Sequence, residues 1–330
     1  MKPQLRCIFS AILALTLCRP GFALAQAAGT KPAAPTENIT VTGIKDIEAA
    51  VSKFVGTLTV RTRVADKLAR WQVGICPIIA GLRPEAAAFI VKRVKDVAAQ
   101  VGAPVNVKEA CAPNLGIIFS TTPQALLDNT RIRHPVLLGF HNNSAQAESL
   151  AIVTHPIQAW YTTETQDLNA NRTVDNGSCR NEGMQMDAAL LGTGIDTAFG
   201  ASSTPFVTMT LPCASAYSVS GNRLGNGLSS ELYRVFVVAE PAKLLDYEIG
   251  TLSDYIAMLA LSQIQPPDSC QDLPTILNLL VPGCSRTAKA LTSGDLAYLR
   301  GLYKMSAGGT FSVQRDEVMY QMDQSLEARP

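Results

Sequence analysis

Hydrophobic spacing divides the chain into a helical start, an α/β stretch, a polar middle and a helical end. Ile44, Ile47, Val51, Phe54, Val55 and Leu58 recur at helical intervals and predict a first amphipathic helix. Leu68 to Ile75 reads as extended. Pro84 stands where a helix tolerates a residue without an N–H. Ile90, Val91, Val94, Val97, Ala98 and Val101 then form one stripe, and Gly102 ends it. Leu115 to Ser120 predicts a buried strand and Pro123 to Asn129 a short helix, so residues 68 to 120 make a β, α, β unit. The apolar runs Pro135 to Phe140 and Val235 to Ala239 are strand-sized.

Between Asn142 and Gly227 the pattern breaks into short apolar pieces, such as Ile157 to Thr162 and Phe206 to Leu211, among Asn, Gly, Ser and Thr. This predicts strands joined by long loops. Leu232 to Glu240 is a strong strand signal that Pro241 ends. Helical patterns follow at Leu252 to Ser262, Leu273 to Leu280, Leu291 to Tyr303 and Phe311 to Leu326, the last with Val318, Met319, Met322 and Leu326 on one face. The expected fold class is α+β, a mixed sheet packed with helices.

The N-terminus changes this picture. Lys2 and Arg6, the apolar run Cys7 to Cys18 and then Ala23-Leu24-Ala25-Gln26-Ala27 have the order of a secretory signal. Its apolar run falls short of the roughly 20 residues that span a bilayer. Lipidation at Cys18 is disfavoured by Leu17 before it, where a small residue is required, and by Arg19 after it. The expected organisation is a signal peptide at 1–27, cleaved after Ala25 or Ala27, a disordered leader at 28–38 rich in Ala, Pro, Lys and Thr, and a single secreted α+β domain at 39–330 with a sub-boundary near the 142–227 insertion. The product is expected in the periplasm or beyond.

Charge narrows the partners. With 28 basic and 27 acidic residues, net +1, the chain has no broad basic footprint for nucleic acid. No later apolar run reaches bilayer length, so no integral membrane segment is expected in the mature chain. Removing Cys7 and Cys18 with the signal leaves Cys76, Cys111, Cys179, Cys213, Cys270 and Cys284, an even set that in an exported protein predicts disulfides. Sequence leaves the pairing open. Sequential pairing is the expectation, Cys76 with Cys111, Cys179 with Cys213 and Cys270 with Cys284, because each pair falls within one apparent unit. None lies in a CxxC or beside His at zinc spacing, and no cofactor is expected.

The candidate motifs are sparse. Asp167, Asn169, Asn171, Thr173 and Asp175 alternate like a calcium loop, but Arg172 replaces the turn glycine and Ser178 the bidentate glutamate. A polar hairpin tip with Asp175-Asn176-Gly177 as its turn fits better. Gly221 to Gly227 precedes a strand instead of opening a helix, which leaves a bound phosphate without a helix dipole. His134, His141 and His155 show no i, i+4 pair, so they read as loop histidines. Glu37 and Ile39-Thr40-Val41-Thr42-Gly43 resemble the energy-coupling box of TonB-dependent receptors, although the strand series of a receptor barrel is lacking.

Several blocks together resemble an uncharacterised family of secreted alphaproteobacterial proteins, particularly of sphingomonads: ITVTG, LARWQVGICPIIAGL (Leu68 to Leu82), VGAPV (Val101 to Val105), CAPNLGIIFS (Cys111 to Ser120), LSDYIAMLALSQ (Leu252 to Gln263) and LTSGDLAYLRGLY (Leu291 to Tyr303). More distantly, their order resembles a zincin-type metalloprotease domain. That resemblance places the first ligand, the general base and the second ligand of a zinc helix on Asp254, Tyr255 and Met258, where Met258 is too soft a ligand for catalytic zinc and Tyr255 cannot act as the carboxylate base. It therefore implies a scaffold without the chemistry: a non-catalytic periplasmic binding or envelope-associated protein, with an envelope protein as its expected partner. A secreted hydrolase whose site draws on His134, His141 or His155, and a TonB-linked accessory factor, are the alternatives. Thr251 to Asp254 and Thr292 to Asp295 also fit the capping-box pattern, so both aspartates are expected first as helix caps.

Overall fold

The computed structural model describes residues 47–108, 110–175 and 225–327, which belong to one compact unit, Thr36–Pro330. Among them the chain forms α1 (Ile47–Leu58), β1 (Pro77–Ala80), α2 (Pro84–Val101), β2 (Leu115–Phe119), α3 (Pro123–Arg133), α4 (Ser144–Leu150), β3 (Ile157–Gln166), β4 (Arg172–Val174), β5 (Ser229–Ala239), α5 (Ile249–Leu261), α6 (Ser293–Lys304) and α7 (Phe311–Glu327). The class is α+β. One mixed sheet runs β1-β2-β5-β3-β4, with β1, β2 and β5 parallel and β3 and β4 antiparallel to their neighbours. The signal, the leader, the Glu37 to Gly43 segment, Phe206 to Leu211 and the expected Cys179 to Cys213 bridge lie outside the described residues.

Helices cover both faces of the sheet. Alternate residues of the central strands, Leu115, Ile117, Val235 and Val237, bury on one face with α1, α2, α5, α6 and α7. Ile118, Trp160, Phe236 and Val238 bury on the other with Leu127 of α3 and Leu138. Helix α2 begins with Pro84 at its first turn and ends at Gly102, whose φ of 84° is cheap only for glycine. Gly81, at φ +83°, is required for a different reason: a Cβ there would run into the Phe119 carbonyl oxygen. Two extended readings are corrected. Leu68 to Ile75 makes only isolated bridges, Arg70 to Glu231 and Ile75 to Val105, and the strand starts at Pro77. The Pro135 run is a 3-10 turn ending at Leu138, opened by a proline without an N–H and closed by Gly139 at φ 91°.

Helix α5 is the hub of the larger core, buried from Thr251 to Leu261. A buried helix end cannot leave its last four carbonyls to water. Here each accepts from a side chain: Met258 from Ser262 Oγ at 2.7 Å, Leu259 from Tyr161 OH at 3.0 Å, Ala260 from Trp71 Nε1 at 2.8 Å and Leu261 from Tyr303 OH at 2.8 Å. Strand β3, the segment before β1 and helix α6 are thereby tied to one helix terminus.

Cys76 is bonded to Cys111 and Cys270 to Cys284, as sequential pairing predicts. Such bonds fit an oxidising, extracytoplasmic compartment. Among the described residues no helix is long and apolar enough to cross a membrane. The second bridge closes a loop of sequence separation 14 around the 3-10 turn Ile276–Leu280. Replacing both of its cysteines by serine is expected to cost about 3 kcal/mol, read as a lower urea midpoint; an unchanged midpoint would show that the bridge adds nothing to this fold.

Candidate functional site

The three positions on α5 form no site. Asp254 accepts from Arg93 Nε and, at 3.0 Å each, from Arg93 Nη2 and the Leu291 N–H, with its side chain 3% exposed. Both carboxylate oxygens are thus occupied, by a guanidinium from α2 and a backbone donor ahead of α6. The hydrogen bonds that Arg93 donates to Asp254 in turn raise the Arg93 pKa. Tyr255 and Met258 are buried in the apolar core, and burial pushes the Tyr255 hydroxyl well above its ordinary range. Asp254 is also not a cap, which corrects the capping-box reading. The helix starts at Ile249 with Glu248 as N-cap, so Asp254 lies a full turn inside it and bonds a neighbouring helix. The second capping box is present: Thr292 Oγ1 accepts from the Asp295 N–H, and Asp295 accepts from the Thr292 N–H.

The histidines lie on separate loops. His141 is buried, and its Nδ1 lies 2.8 Å from the Gly139 carbonyl, which can only accept, so Nδ1 carries the proton. His155 stands just before β3 between two polar partners. Its Nδ1 is 2.8 Å from Thr154 Oγ1 and its Nε2 is 3.3 Å from Asp268 Oδ1. Gln158 Oε1 competes for the same hydroxyl at 3.1 Å, and the Asp268 side chain is 96% exposed. Among the described residues no group of three or more His, Cys, Asp or Glu side chains is arranged to hold a metal ion.

A cluster of perturbed carboxyl groups lies where β3, β4 and β5 meet. Glu164 and Glu231 face each other directly across the antiparallel pair, 8% and 2% exposed. Like charges so placed repel, and neither can turn to water. Arg172 of β4 spans the pair, with Nη1 3.3 Å from Glu164 Oε1 and 3.1 Å from Glu231 Oε2. That Oε2 is buried with no hydrogen-bond partner among the described residues, so the guanidinium answers it as a charge only. Burial first, then the Glu231 charge, pushes Glu164 up to about 7; burial also raises Glu231, while the Arg172 charge and then the hydrogen bond from Glu164 oppose that rise. The arrangement is consistent when Glu164 holds a proton and donates it to Glu231. On the alternate face of β3, Asp175 accepts from Thr163 Oγ1 at 2.5 Å and from Thr165 Oγ1 at 2.7 Å, and burial raises it too.

The hairpin that carries Arg172 turns at Asp167 to Asn171, while Asn176 and Gly177 of the expected Asp175-Asn176-Gly177 turn lie outside the described residues. Asp167 Oδ1 accepts from the Asn169 and Asn171 N–H groups, both at 2.9 Å, and its Oδ2 from Asn171 Nδ2. The alternating acidic and amide residues therefore build a turn instead of a calcium loop. Sequence reasoning missed the glutamate pair because Ser229-Ser230-Glu231 reads as loop, which starts β5 three residues late. The available signal was Thr163-Glu164-Thr165, polar positions on both faces of a strand. No family model, curated protein or solved structure matches this chain.

Proposed function

We propose that this is an exported, non-catalytic protein on a metalloprotease-like scaffold, acting as a periplasmic binding or envelope-associated protein. The observation that carries this reading is the state of α5. The position corresponding to a first zinc ligand is a buried aspartate whose two oxygens hold a half-buried guanidinium and a backbone N–H, and those of the base and second ligand are core side chains. A helix face used for packing cannot also present ligands and a base to a substrate. The two disulfides support the exported part. N-terminal sequencing of the protein recovered from the periplasm or medium tests that part: a product beginning at Gln26 or Ala28 is expected, and an intact Met1 in membranes would defeat it.

One observation favours a second reading, a secreted hydrolase with a relocated site. A histidine between a hydroxyl and a carboxylate is the arrangement that activates an oxygen nucleophile. Thr154, His155 and Asp268 supply it at the surface. The solvated aspartate and the competing Gln158 carbonyl weigh against it. The discriminating assay is turnover of p-nitrophenyl acetate. The first reading expects none beyond the background of free imidazole, whereas catalysis lost in both His155→Ala and Thr154→Ala would establish the second.

A further inference from the structure

The ladder between β3 and β5 has two unlike halves. A register irregularity between Thr162 and Thr163 separates them. Above it, Ile157, Trp160, Val235, Phe236, Val237 and Val238 are buried in the apolar cores on the two faces. Below it the paired residues are Thr163 with Leu232, Glu164 with Glu231, Thr165 with Ser230 and Gln166 with Ser229. Leu232 alone of these joins the core. The rest of this half is held by polar contacts: Thr163 and Thr165 on Asp175, Thr62 on Ser230 at 2.7 Å, and Arg172 across the glutamates. A segment with few buried apolar contacts opens at lower cost than its neighbours.

We propose that the lower half of this ladder is a proton-binding element: one proton held between Glu164 and Glu231 closes the β3–β4 hairpin on β5, and its loss to solvent loosens the pairing below the irregularity. Charge balance around the pair supports this. Facing it are Arg172 of β4 and Arg70 from the segment bridged to Glu231, while Asp175, held by Thr163 and Thr165 on the other face of β3, adds negative charge from behind the strand. Arg70 is itself shared, donating to the Leu302 carbonyl of α6 and lying near Tyr303 and Glu317. With the proton in place, Glu231 alone of the facing pair can carry charge opposite the two guanidinium groups. Without it, both facing glutamates are charged, with Arg172 divided between them, Arg70 partly committed to α6, and Asp175 adding negative charge from the other face of β3. The irregularity confines the effect, because the apolar upper ladder does not depend on the charge below it.

Backbone amide exchange of the oxidised, exported protein near pH 6 and pH 8, corrected for intrinsic exchange rates, tests this. With Glu164 near 7 in the closed state and at its ordinary value in the open one, protection at residues 163–166 and 229–232 is expected to fall about tenfold between the two conditions, with residues 157–162 and 234–239 unchanged. Glu164→Gln, which keeps a donor toward Glu231 and cannot ionise, is expected to hold the same protection at both. Equal protection at both pH values in the wild-type protein, or the same loss in Glu164→Gln, would overturn the proposal. Should that variant not fold, carboxyl 13C titration of the wild-type protein decides. A glutamate titrating near neutrality together with the local amide changes supports the element, and both glutamates titrating in the ordinary range refutes it.

Discussion

Asp254→Ala is expected to destabilise the fold by about 3–5 kcal/mol, the range for removing one partner of a buried ion pair and stranding the other. Arg93 donates to Asp254 through Nε and Nη2, and the loss would also free the Leu291 N–H, a buried donor that costs energy when unpaired. Arg93→Met should cost at least as much, since the carboxylate it strands is only 3% exposed, whereas the guanidinium left by Asp254→Ala is 28% exposed and water can replace part of what it loses. The informative comparison is the double variant Arg93→Met with Asp254→Leu. If the pair acts as a buried ion pair, the double variant recovers part of the loss seen in Asp254→Ala alone, as read from denaturant midpoints. The capping reading predicts otherwise, a loss of about 1 kcal/mol independent of Arg93, as expected for Thr292→Ala at the cap that is present.

Glu164→Gln is expected to make the protein more stable at pH 8 than the wild type. The sign follows from the raised pKa. Folded Glu164 keeps its proton up to about 7, whereas in the unfolded chain the carboxyl ionises near its ordinary 4.5. Between these values the folded state binds more protons, so the wild-type contribution is fully present below about pH 4.5 and is lost as pH rises toward 7. The ceiling is about 3.5 kcal/mol, from roughly 1.4 kcal/mol per pKa unit, and sharing of the proton with Glu231 lowers it. The glutamine variant removes this slope. Urea unfolding at about pH 5, 6, 7 and 8 is the check: the two proteins should diverge progressively with rising pH, and parallel profiles would mean that Glu164 titrates alike in both states.

What the sequence revealed is what depends on neighbours along the chain. The stripe of α2, its proline start and glycine stop, the cap at Thr292 and Asp295, and the two observed disulfides all follow from short-range pattern or from cysteines within one unit. What it concealed depends on partners far apart. Asp254 looks like a cap because Thr251 stands three residues before it, and nothing local marks Arg93, 161 positions away, as the competing donor. The start of β5 was hidden because its first residues are polar and bury against other polar groups, which hydrophobic periodicity cannot register. The glutamate pair was hidden with it. Thr154 and His155 are adjacent and readable, but Asp268 comes from the loop after α5 and meets them only in the folded chain.

The most direct test of the central claim is zinc analysis of the oxidised, exported protein together with a peptide-cleavage assay. With Asp254 committed to Arg93, and Tyr255 and Met258 enclosed in the core, the account predicts no stoichiometric zinc after dialysis against the metal and no cleavage sensitive to a chelator. One zinc per chain, with peptide cleavage that a chelator abolishes and added zinc restores, would contradict it.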